Sequence, residues 1–81
     1  MTLNERSQVV LYTSDGCHLC EEAHRLLIEF GLSPKVVDID ADESLQKRFD
    51  TCVPVVEIDG RVRFRGRVEP RLLRRIIRSR E

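Results

Sequence analysis

No stretch of this 81-residue sequence is apolar for long enough to cross a membrane. Residues 1–6, Met-Thr-Leu-Asn-Glu-Arg, hold no apolar h-region, so a signal peptide is not expected. Net charge is missing too: 14 basic and 14 acidic side chains cancel, and bulk charge points to neither nucleic acid nor a membrane as partner. Cysteine is scarce, and Cys17, Cys20 and Cys52 show no pairing scheme of a secreted disulfide framework. Repeats, linkers and low-complexity segments are absent. One domain over 1–81 is expected, monomeric, in a reducing cytoplasm, burying about 60% of the surface its unfolded chain exposes. In that compartment a C-x-x-C is more often catalytic or metal-binding than structural.

What is present is organised around Gly16-Cys17-His18-Leu19-Cys20. An apolar strand over 8–13 leads into it, apolar on both faces and therefore expected to be central, with helices on each side. Ala23, Leu26, Leu27 and Phe30 then recur at helical spacing, predicting a helix from Cys17 to Phe30 that Gly31 and Ser33-Pro34 end. Lys35–Asp40 reads as a second strand, which makes a right-handed βαβ unit with parallel strands. Asp40 or Asp42 caps a short helix to Phe49, with Ala41, Leu45 and Phe49 towards the core.

Val55–Ile58 is the third strand, and Asp59-Gly60 marks a hairpin to Val62–Arg65. A three-residue loop, Ile58-Asp59-Gly60, would pair Val56 with Val62 and Glu57 with Arg61, segregating apolar from charged, and is the expected register. Arg61, Arg63 and Arg65 then point outward from an edge strand, where charge discourages pairing with another sheet. Pro70 opens a last helix whose expected buried stripe is Leu72, Leu73, Ile76 and Ile77. Nine arginines follow Gly60 against Glu69 and Glu81 alone: solvated faces, or a surface for an acidic partner or polyanion.

Two thiols at a helix N-terminus fed by a buried strand suit thiol–disulfide exchange. Cys17 would sit at the helix tip, where unpaired N–H groups and the positive dipole end favour a thiolate, so it is the candidate nucleophile. Cys20 lies one turn on, in line with Ala23 and Leu27, more buried and harder to ionise: the resolving thiol. His18, if protonated, would favour the thiolate, or it is simply an exposed residue that tunes potential. Asp15, Glu21 and Glu22 oppose it. A metal site could in principle draw on Cys17, Cys20, His24 and His18 or Cys52. A zinc ribbon needs a second close ligand pair, however, and none exists, so no metal is expected.

The order β-α-β-α-β-β-α, the C-x-x-C after strand one and Val53-Pro54 before strand three together resemble the thioredoxin fold, in its glutaredoxin-like branch, from about Gln8 to Arg78. The resemblance implies an α/β domain with a four-stranded mixed sheet and helices on both faces. It implies a thiol–disulfide oxidoreductase without a bound organic cofactor, acting on protein disulfides or glutathione mixed disulfides with a thiol or reductase as electron donor. It also implies a cis Pro54 against Cys17, a Val53 backbone that holds substrate, and His18 and Leu19 beside it. Cys52, two residues before Pro54, is either a small buried side chain or a third redox thiol.

Departures from the glutaredoxin pattern bear on glutathione. His18-Leu19 stands where dithiol glutaredoxins carry Pro-Tyr, and Thr13-Ser14-Asp15 where a lysine would meet a glutathione carboxylate. Gly66-Arg67-Val68-Glu69 replaces a Gly-Gly, small polar, Asp sequence. Thioredoxin hallmarks are missing as well, since Gly16 replaces the tryptophan before the first cysteine and strand one has no acidic residue. Glutathione stays a possible co-substrate, with Arg67 or the Arg61–Arg65 face as replacement anion contacts. The competing reading is a partner-binding module or thiol sensor that docks through the arginine-rich half.

Overall fold

The run of β-branched and aromatic residues after Gln8 forms β1 (Val9–Thr13), and it is an interior strand. In the computed structural model, which describes residues 8–49 and 52–80, the sheet order is β2 (Lys35–Asp38), β1, β3 (Val55–Ile58), β4 (Arg61–Arg65). The polar lead-in over 1–7 and the Asp50-Thr51 exit from the second helix lie outside the described residues. β1 pairs in parallel with β2 and antiparallel with β3, so the sheet is mixed, as expected. The helices are α1 (His18–Glu29), α2 (Glu43–Phe49) and α3 (Pro70–Arg80), with a 3₁₀ turn over Ile39–Ala41.

Apolar side chains collect on both faces of the sheet. Val9, Leu11, Val56 and Phe64 meet Ala23 and Leu27 of α1 and Leu73 of α3. On the other face Val55 meets Ile39 and Phe49, with Tyr12, Leu45 and Val62 packed against them. Burying one side chain such as Leu27 stabilises the fold by about 1.5–3 kcal/mol, and the pair of clusters clamps β1 from both sides.

Helix α1 ends as its sequence dictates. Gly31 takes φ +82, a conformation that costs a residue with a Cβ. Its N–H donates to the Ile28 carbonyl (2.9 Å) and that of Leu32 to the Leu27 carbonyl (3.0 Å), both bonds of a Schellman cap. Leu32 is thereby delivered to the core.

Four expectations are corrected. β2 stops at Asp38 rather than Asp40, because the Asp38 carboxylate accepts the Asp40 N–H (2.9 Å) and turns the chain into the 3₁₀ segment. That turn buries Ile39 and leaves Ala41 exposed, outside the core stripe of α2. Leu72 is 47% exposed, and the buried face of α3 is Leu73 with Ile76 and Ile77 packed beside it.

The hairpin register also differs. Asp59 and Gly60 both have positive φ (53 and 83), so the loop has two residues and pairs Ile58 with Arg61 and Glu57 with Val62. Positive φ at both positions is the two-residue turn geometry whose twist matches that of the flanking strands. The register then shifts between Glu57 and Val56, leaving Arg63 as the extra residue and setting Phe64 opposite Val56. The bulge lets Val62 and Phe64, two residues apart, reach opposite faces of the sheet.

Candidate active site

The turn after β1 brings Cys17 to the tip of α1. Cys17 is the N-cap residue, with extended backbone (φ −92, ψ 108). Its sulfur accepts the Cys20 N–H at 3.2 Å, and its carbonyl accepts the Glu21 N–H at 3.3 Å. A sulfur thus does what Ser or Asp does at most helix starts. Negative charge on it is met by an amide N–H and by the positive end of the helix dipole. Cys17 is half-buried, and Cys20 is 3% exposed. Burial pushes the Cys20 thiol up to about 11, and its hydrogen bond with Cys17 adds to the effect. The difference in burial expected from helix geometry is present.

The loop before Cys17 is tied down by a residue that sequence reasoning offered only as a helix cap. Asp40 Oδ2 accepts the Asp15 N–H (3.1 Å) and the Ser14 hydroxyl (3.0 Å). These two bonds, with a third from the Gln46 amide, hold the Asp40 carboxyl below its ordinary value. The cap of α2 is Asp42, whose Oδ1 accepts from the Ser44 N–H and hydroxyl and from the Leu45 N–H.

A groove of about 1030 Å³ opens beside Cys17, lined by that residue with His18, Cys20 and the Ser14–Gly16 turn. The His18 side chain is 97% exposed, and its Nδ1 lies 3.7 Å from Glu21 Oε2. Leu19 lies on a second, smaller cavity of about 330 Å³, where it meets Arg67, Val68 and Pro70. Val53-Pro54 is cis, as the resemblance implied. Pro54 is buried and its carbonyl accepts the Gly66 N–H at 2.8 Å. Cys52 and Val53 pack half-buried against the Ile39–Phe49–Val55 cluster, and neither they nor Pro54 line the two cavities. Among the described residues no three His, Cys, Asp or Glu side chains are grouped to hold a metal ion.

The glutaredoxin-like domain (DUF836) matches residues 8–78. No curated protein matches. Among solved structures, protein XcR50 of X. campestris is similar at 29% identity and a TM-score of 0.74, covering 88% of this chain and 96% of its own. Protein Ne2328 of Nitrosomonas europaea shares 23% identity at a TM-score of 0.76, over 88% of this chain and 91% of its own. The Archaeoglobus fulgidus glutaredoxin shares 22% identity at a TM-score of 0.66, over 90% and 88%. The last two show a common fold.

Proposed function

The chain belongs to the glutaredoxin-like domain family, and on that premise we propose that it is a dithiol oxidoreductase that reduces disulfides through Cys17 and Cys20. The observation that supports this most is the unequal pair: a half-exposed sulfur capping α1, and one turn below it a buried thiol. The Cys17 thiolate attacks one sulfur of the substrate disulfide, and the other sulfur leaves as a thiolate. Cys20 then loses its proton and attacks Cys17 Sγ. The second substrate thiolate is released and Cys17–Cys20 is left oxidised, two electrons having passed to the substrate. A thiol or reductase restores the dithiol.

The coupling of the two cysteines orders these steps. While Cys17 is free, its hydrogen bond and its charge help burial to keep Cys20 protonated. Once Cys17 is in the mixed disulfide its charge is gone, and the resolving thiol ionises more easily when it is needed. The cis Pro54 segment, with the Val53 backbone, takes the substrate chain beside the disulfide, and the setting is a reducing cytoplasm.

The test is turnover of a glutathione mixed disulfide and of a protein disulfide by the wild type, Cys17→Ser and Cys20→Ser. Loss of all activity with Cys17→Ser is expected. Cys20→Ser should lose the protein disulfide and retain only turnover that needs one thiol. Full activity in Cys17→Ser would sink the reading.

A further inference from the structure

The groove at Cys17 is longer than a disulfide requires. Its wall is one stripe of α1, Cys17, Glu21, His24 and Ile28, and its floor includes Val36 and Asp38 of the edge strand β2. Eleven helical residues at ~1.5 Å each give about 16 Å, the length of about five residues of extended chain. The two ends differ in chemistry. Near Cys17 lie Asp15, Glu21 and Asp38, and only Arg25 and the two histidines offset these carboxylates and Glu29 along the groove. Further along, Ile28 and Val36 are each 50% exposed, two of the large apolar side chains this fold leaves in water.

An acidic mouth beside the nucleophile disfavours glutathione, which brings two carboxylates, and favours a cationic chain. A half-open apolar end gains by covering Ile28 and Val36. We propose that, beyond the residue held by the Val53 backbone, this groove binds the polypeptide flanking the target disulfide: an extended segment with lysine or arginine next to its cysteine and an apolar side chain further along. The inference rests on the oxidoreductase reading and names its substrate class. Cys17 joins the segment's cysteine through a new S–S bond as the partner thiolate leaves. Cys20 then displaces the segment as a thiolate, and the protein keeps the Cys17–Cys20 disulfide.

Two five-residue peptides test it, each carrying its cysteine as a mixed disulfide with thionitrobenzoate, whose release is followed by absorbance. One has two lysines and a leucine, the other two glutamates and a serine. Reduced wild type should react with the first about ten-fold faster than with the second, the range that charge complementarity gives to association rates. Ile28→Gln/Val36→Thr, with unchanged circular dichroism, should lose the apolar share of that preference, slowing the leucine peptide several-fold and leaving the glutamate peptide's rate as it was. Its rate with neutral 2-hydroxyethyl disulfide should equal that of the wild type. Equal wild-type rates with the two peptides, or a preference untouched by the double substitution, overturns the groove while leaving the dithiol chemistry standing. A wild type inert towards 2-hydroxyethyl disulfide as well overturns both.

Discussion

At the scale of single residues, position on a helix gives two identical side chains different surroundings, Cys17 half-buried at the tip of α1 and Cys20 buried one turn below it. Cys20 keeps its proton in the fold up to about pH 11, whereas an unfolded thiol loses it near about pH 8.5. A raised value means that the folded state holds the proton more tightly. The stability this lends is therefore complete below about pH 8.5 and is lost as pH climbs towards about 11. Thermal melts of the reduced protein should fall across that window, and fall less for Cys20→Ala. Tyr12, also raised by burial, contributes to both proteins, so the difference between them isolates the thiol. Asp40 gives a second expectation. Asp40→Ala should loosen the Ser14-Asp15 turn, speeding amide exchange at Asp15 and slowing thiol exchange at Cys17 several-fold, while Asp40→Asn, which keeps an acceptor oxygen, should restore most of both. If the alanine variant exchanges at the wild-type rate, the turn is held by something else. The unequal burial of Cys17 and Cys20 could be read from the sequence because it depends on one local turn of helix. Asp40 could not: its partners lie 25 and 26 residues away, and two neighbouring aspartates suited the cap equally well.

At the scale of elements, α1 is the part on which the site depends. Its register on the sheet is fixed by Ala23 and Leu27. Leu27 is fully buried, so Leu27→Ala should cost about 2–5 kcal/mol in denaturant unfolding. A loss below about 1 kcal/mol would mean that the site collapses to fill the space. Every helix and strand except the 3₁₀ turn was legible from periodicity and from glycine and proline. The hairpin register was not. Matching apolar to apolar across a regular ladder favoured the three-residue loop, but the chain keeps the tight Asp59-Gly60 turn and corrects the match with a bulge. A bulge leaves no period of its own in the sequence. Leu72 was misplaced because Leu73, Ile76 and Ile77 already span about 100° of the helix, the width of an ordinary contact face, and Leu72 falls outside that arc.

At the scale of the whole molecule, charge is sorted along the chain. Residues 1–60 carry 12 acidic and 5 basic side chains, and 61–81 carry 2 and 9. Of the second group, Arg61, Arg63 and Arg65 lie on β4 and Arg71, Arg74, Arg75, Arg78 and Arg80 on α3, with β4 at the opposite edge of the sheet from β2. A protein of zero net charge built this way should bind cation- and anion-exchange resins alike at about 10 mM salt and leave both near about 0.15 M, as the screening length shortens from about 30 Å to about 8 Å. Passage through both resins would mean that the two fields cancel at the surface. The sorting was visible in the sequence. Its relation to the groove was not, because which acids face Cys17 depends on how β2 and α1 pack.

The register shift in β4 has a consequence for the length of the chain. Arg63 is counted by neither Val62's pairing with Glu57 nor Phe64's with Val56. Removing it joins the two halves of the strand in step, with Val62 and Phe64 alternating as a regular strand requires. Deleting Val62 instead would put Arg63 in its place against Glu57 and take an apolar side chain from the second cluster. Position 63 is thus where this domain can be one residue shorter. A chain lacking Arg63 should fold with unchanged circular dichroism but present a straighter edge, and light scattering at rising concentration should show it associating where the parent does not.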